Sequence, residues 1–174
     1  GEEYSLAFET FPNLALIKTY NTNSQVSDSA GTISAILTGE KTSIGVSGIT
    51  SNVARDDCAA ALANTLPTIA ELAEDAGMAT GVVSTARITH ATPAGAFAHT
   101  PNRDWEDSAS TPDEAEALGC IDIAQQLIQM PNGDGLDVIL GGGRGQFLPT
   151  DANDPEYPKR SGRRDDGRNL IEEW

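Results

Sequence analysis

Twice along this 174-residue chain an amphipathic helix signal is followed, after a short turn, by an apolar strand signal, and that order constrains the fold most. The first pair opens at Thr65, an N-cap candidate with Pro67 in the first turn. It continues through apolar Leu66, Ile69, Ala70, Leu72, Ala73 and Ala76 to a stop at Gly77, then a strand over 79–84. The second places Ile121, Ala124, Leu127 and Ile128 on one face of a helix over 120–130. The turn Pro131-Asn132-Gly133-Asp134-Gly135 then leads to a strand over 136–140. Strands separated by helices in this way pair in parallel, which predicts an α/β class with helices flanking the sheet.

Other segments fit around this frame. Leu14-Ala15-Leu16-Ile17 reads as a short buried strand, and the polar residues 21–25 as a loop. A helix over 29–37 follows, carrying Thr32, Ile33, Ile36 and Leu37 at near-helical spacing. Asp28 or Ser29 is its N-cap and Gly39 its left-handed stop. The Gly/Ser/Thr-rich stretch 42–52 reads as an irregular surface excursion with no evident chemistry. Residues 151–168 form a Pro/Gly/charge-rich loop whose basic positions, including Arg163 and Arg164, read as solvated, and 169–174 open a further helix.

Composition narrows the function. With 11 Lys+Arg against 26 Asp+Glu the formal charge is −15, so a nucleic-acid backbone would be repelled and nucleic-acid binding is not expected. At 39% hydrophobic and 21% charged residues the chain has the composition of a globular domain rather than a disordered one. No apolar run approaches the roughly 18 to 20 residues of a membrane helix. The first residues lack the basic start and apolar middle of a signal peptide. Cys58 and Cys120 are compatible with two thiols or one bridge.

Three places offer chemistry. In Asp28-Ser29-Ala30-Gly31-Thr32 a serine hydroxyl stands at a loop-to-helix junction, where free N–H groups and the helix dipole favour an anion, although such a serine needs a base or a metal to ionise. His90-Ala91-Thr92-Pro93 follows a predicted parallel strand, at the end of the sheet where α/β proteins bind ligands. Arg103 could fork onto a phosphate, with adjacent Asp104 as its alternative structural partner. The run Gly141-Gly142-Gly143-Arg144-Gly145 lacks the lysine of a P-loop and reads as a tight turn, and no Gly-x-Ser-x-Gly elbow or Ser-His-Asp set is evident.

At these same residues the chain resembles alkaline phosphatases, in particular the branch that includes the animal enzymes. The likeness runs through Lys18-Thr19-Tyr20-Asn21, Asp28-Ser29-Ala30-Gly31-Thr32, His90-Ala91-Thr92-Pro93, Asn102-Arg103-Asp104-Trp105, 137–144, Asp154-Pro155-Glu156-Tyr157-Pro158 and Glu173-Trp174. It implies a three-layer α/β sandwich with a mostly parallel central sheet. It also implies hydrolysis of small phosphate monoesters through a phosphoserine at Ser29, whose hydroxyl is a zinc ligand. By the same likeness Arg103 clamps the phosphate, Asp28 positions Arg103, Thr92 is a magnesium ligand, and His90 acts on that magnesium through a water at most.

The resemblance further implies a Cys58–Cys120 disulfide, a periplasmic or extracellular location, two zinc ions and one magnesium ion, and a homodimer. The family's remaining metal ligands have no counterparts here, where only His90 and His99 are histidines. Residues 1–174 are therefore expected to be a single partial domain lacking the N-terminal and C-terminal metal-ligand segments, with little or no turnover alone. The competing reading is a non-catalytic phosphate-binding relative.

Overall fold

A computed structural model describes residues 3–174. The two expected strands are present as β1 (Gly81–Arg87) and β2 (Val138–Gly142). They pair in parallel, with Val82 opposite Ile139, Val83 opposite Leu140 and a register shift before Arg87 meets Gly142. Val82 and Ile139 pack on the main core around Phe97, Ile123, Leu127 and Leu170, whereas Val83, Val138 and Leu140 face outward. The described residues thus hold a two-stranded part of an α/β fold rather than a complete three-layer sheet.

The helices are short: α1 (Ser29–Thr38), α2 (Cys58–Leu62), α3 (Ile69–Asp75), α4 (Ala91–Ala94), α5 (Asp113–Ala117), α6 (Ile123–Ile128) and α7 (Leu170–Glu173). Local signals set many of their ends. Asp28 caps α1 by accepting from Gly31 N at 3.0 Å, and Gly39 closes it at φ +80°. Asp122 caps α6 and Asn169 caps α7.

Five expectations are corrected. Leu14, Leu16 and Ile17 are not a buried strand but extended chain, 88%, 97% and 85% exposed, because no strand among the described residues pairs with them. Thr68, not Thr65, caps α3, in a reciprocal capping box with Glu71, while Thr65 lies beside Ile49 in a bridge to the 42–52 segment. The same helix turns Ile69 and Leu72 outward and buries Glu71 and Glu74, since both carboxylates find partners inside. Segment 42–52 is mostly buried: Val46 and Ile49 form a second small core with Val53 and Ala61, and Ser34 Oγ of α1 accepts from Gly48 N at 3.0 Å.

The fifth correction is Arg164. It is not solvated but fully buried, forked onto both Asp122 oxygens at 3.0 and 2.9 Å and also bound by Asp166. Its basic neighbour Arg163 donates to Asp107 at 2.6 Å. Two other expectations are met in outline. Gly143, at φ +92°, makes the turn that ends β2, and Cys58 and Cys120 form a disulfide with Cα atoms 6.0 Å apart, packed against Trp105 and Ala115.

Candidate active site

Ser29 is the first residue of α1, so the free N–H groups and positive end of a ten-residue helix lie beside its hydroxyl. Two features of the fold bring the other candidates to it. A Cβ on Gly95 would lie 2.5 Å from Ile33, so glycine there lets α4 approach α1 closely. That contact sets Thr92 beside Ser29, and both line a depression of about 280 Å³ with Asp28, Thr32, Ile33 and Ile36. Meanwhile Gly45 O accepts from Arg103 N at 2.9 Å, which fastens the arginine loop to the buried 42–52 segment.

The side chains then converge. Arg103 Nη1 donates to Ser29 Oγ at 2.7 Å and to Asp28 Oδ2 at 3.2 Å, and Arg103 Nη2 lies 3.2 Å from His90 Nε2. A guanidinium only donates, so His90 Nε2 is the acceptor in this contact. Asp28 takes four donors: Asn21 Nδ2 and Gly31 N on Oδ1, Gly45 N and Arg103 Nη1 on Oδ2. Partial burial pushes its pKa up, but those donors outweigh it and hold the carboxyl below its ordinary value. Asp104, the arginine's alternative partner in the sequence, instead binds Arg55 at 2.7 Å.

Size does not mark this site. A cavity of about 920 Å³ lies along 141–147, Tyr157 and Trp174, with none of the candidate residues in its wall. Among the described residues no three His, Cys, Asp or Glu side chains stand together as a metal cage. Zinc needs about four ligands and magnesium about six oxygens. Ser29 and Thr92 supply one hydroxyl each, so these residues fit the rim of a metal centre and do not build one.

A model of the alkaline phosphatase family matches residues 1–174, the whole chain. The chain belongs to the alkaline phosphatase family. Among its relatives, an alkaline phosphatase of Gadus morhua is 46% identical over 177 residues, covering all of this chain and 37% of that protein. The membrane-bound alkaline phosphatase of Bombyx mori is 49% identical, with 32% of its length covered, and the human tissue-nonspecific isozyme 45%, with 33% covered. The chain therefore spans about a third of the length of these curated relatives.

The solved alkaline phosphatase of the Antarctic bacterium TAB5 superposes on 98% of this chain and 38% of its own, at TM-score 0.64 and 27% identity. The Thermus thermophilus enzyme covers 90% and 25%, at TM-score 0.61 and 29% identity. A histidine-to-aspartate variant of the TAB5 enzyme, with magnesium bound in its M3 site, matches at TM-score 0.63 and 26% identity. These likenesses show the family and its α/β fold.

Sequence reasoning missed the residues that hold the candidates in place. Asn21 and Gly45 fix Asp28, and neither carries a local signal, because their partners are 7 and 17 residues further on or back. Glu106, just after Arg103, binds Arg87 at 2.6 and 2.9 Å and Thr89 at 2.6 Å, steadying the turn that carries His90.

His99, the other histidine, is a structural cation. Nδ1 faces Gly48 O at 2.8 Å and Nε2 faces Glu71 Oε1 at 2.7 Å, and both partners only accept, so both ring nitrogens carry protons. Burial opposes that charge, but Glu71 and the Gly48 carbonyl outweigh it and raise the pKa above the usual 6.5. The stabilisation is then complete below pH 6.5 and lost as pH rises through the higher folded value. Burial raises and the His99 partnership lowers the Glu71 pKa, with a net fall below 4.5, so its share is lost only as pH drops through that lower value. Thermal unfolding should show Tm falling above pH 6.5, and His99→Gln should flatten that slope; an unchanged slope would refute the assignment.

Proposed function

We propose that these residues form the phosphoryl-accepting part of a phosphate monoesterase, with Ser29 as nucleophile. The observation that carries the reading is Arg103 Nη1, 2.7 Å from a serine hydroxyl at the start of α1 and braced by Asp28. Ser29 Oγ attacks phosphorus, the phosphorus–oxygen bond to the alcohol breaks, and the alcohol oxygen leaves with a proton. Water then attacks the phosphoserine, Ser29 Oγ leaves, and inorganic phosphate is released. Arg103 binds the non-bridging oxygens through its paired N–H groups, and the helix N-terminus adds donors on the same side.

Asp28 is no base here, since both its oxygens are filled by donors. Among the described residues the hydrogen-bond partner of Ser29 Oγ is Arg103, itself a donor. Ser29 would be a zinc ligand and Thr92 a magnesium ligand, with the remaining ligands supplied from outside these residues. Two zinc ions and a magnesium bound there would supply the chemistry that ionises the serine and activates water. His90 would act on that magnesium through a water at most. The Cys58–Cys120 disulfide supports an oxidising compartment, periplasmic or extracellular.

The test is hydrolysis of a chromogenic aryl phosphate at alkaline pH with added zinc and magnesium, by the full-length protein and by residues 1–174 alone. The full-length protein should turn over and the segment should not. Phosphate binding without turnover by the full-length protein would favour the non-catalytic relative instead. Rapid turnover by the segment would contradict the view that its metal centre is incomplete.

A further inference from the structure

The Asp28 carboxylate is held from two sides, and one of the holders has no role in the chemistry above. Asn21 is only 3% exposed and lies in a turn where its backbone pairs with Ser24. Its Nδ2 donates to Asp28 Oδ1 at 2.8 Å, while Gly45 N and Arg103 Nη1 occupy Oδ2 at 3.0 and 3.2 Å. The turn is itself clasped to the segment carrying Gly45: Thr22 N donates to Thr42 O at 3.1 Å, and Asn23 Oδ1 accepts from Ile44 N at 2.8 Å. One unit of backbone thus aims both oxygens of Asp28.

Gly31 reports the same arrangement. Glycine in a helix is disfavoured by about 1 kcal/mol against alanine. Gly31 is not among the glycines with positive φ, so its conformation does not demand it. Space does: a Cβ there would lie 2.6 Å from Asn21 Nδ2 and 2.7 Å from Asn21 Cγ and Oδ1. The amide lies flat against the first turn of α1, in the place a side chain at 31 would need.

We propose that Asn21 is a positioning residue for phosphate capture, aiming Arg103 through Asp28, and that Gly31 is the vacancy its amide requires. The inference rests on the reading of Arg103 as the phosphate-binding group. Without the amide, Oδ1 keeps only Gly31 N, the carboxylate is free to turn, and the guanidinium loses its bearing on Ser29 Oγ. Substrate and inorganic phosphate then bind more weakly, while the nucleophile is untouched.

The experiment uses the full-length protein loaded with zinc and magnesium, an aryl phosphate as substrate and inorganic phosphate as inhibitor. Asn21→Asp keeps the shape against Gly31 but turns the donor facing Asp28 into an acceptor. It should raise KM and the phosphate inhibition constant about tenfold, with kcat changed less than about threefold. Gly31→Ala should do the same by pushing the amide aside. Asn21→Ala/Gly31→Ala should be no worse than Asn21→Ala alone, because the new methyl enters the emptied space.

Wild-type KM and phosphate inhibition in Asn21→Asp would overturn the proposal, as would single effects that multiply in the double variant. Arg103→Ala separates the two readings. If it leaves KM and phosphate inhibition unchanged, the clamp itself is wrong; if it weakens both while Asn21→Asp does not, only the role of Asn21 falls.

Discussion

Replacing Ser29 by alanine in the full-length protein is expected to lower kcat for phosphate monoesters by at least about 10³-fold, because the atom that takes the phosphoryl group is gone. The loss should fall on turnover more than on binding. Arg103, Asp28 and the N–H groups of α1 remain, so inorganic phosphate should still inhibit or bind at near wild-type concentration. Measuring kcat, KM and phosphate binding together checks this split. A variant that keeps kcat within tenfold of wild type would remove Ser29 from the chemistry, and with it the covalent route.

The second large effect concerns stability. Arg164→Ala should destabilise the protein by about 3–5 kcal/mol, seen as a lower midpoint in chemical denaturation. The guanidinium is wholly buried and satisfies both oxygens of Asp122, itself 2% exposed and the cap of α6, together with Asp166. Burial works against its charge, but the two carboxylates hold the proton more firmly than usual. Truncation strands a buried carboxylate at the start of the helix that carries Ile123 and Leu127 into the core. Arg164→Lys should recover little of the loss, since one ammonium cannot reproduce the fork. A loss under about 1 kcal/mol in Arg164→Ala would contradict this account.

What the sequence revealed depended on how local each cause was. Helix α1 and its ends were readable because Asp28 and Gly39 act within a turn of the residues they cap. The parallel pairing of β1 with β2 was readable from the repeated helix-then-strand order. The burial of Arg164 was not, because its partner Asp122 is 42 residues away and a basic loop gives no sign of it. Segment 42–52 misled for a related reason: a Gly/Ser-rich stretch looks solvated, yet its backbone fills space between Ser34, Thr65 and Thr100.

The candidate site divides in the same way. Ser29 and Asp28 were marked by their place at a helix start, and family resemblance singled out Arg103, His90 and Thr92. The resemblance also implied the contact of Arg103 with Asp28, which the local pattern alone did not offer because 75 residues separate them and Asp104 stands next door. Asn21 lay inside the resemblance without any role being readable for it, and Gly45 carried no signal of its contact with Asp28. The strand signal at 14–17 failed, because no described strand lies beside it and the segment stays extended and exposed.

The central claim is that Ser29 carries the phosphoryl group, and the most direct measurement is to trap it. Full-length protein turning over an aryl phosphate would be quenched in acid, digested and read by mass spectrometry. The account predicts one added phosphoryl group on the peptide containing Ser29, absent in Ser29→Ala. Steady turnover with no phosphorylated peptide, or with the group on another residue, would contradict it.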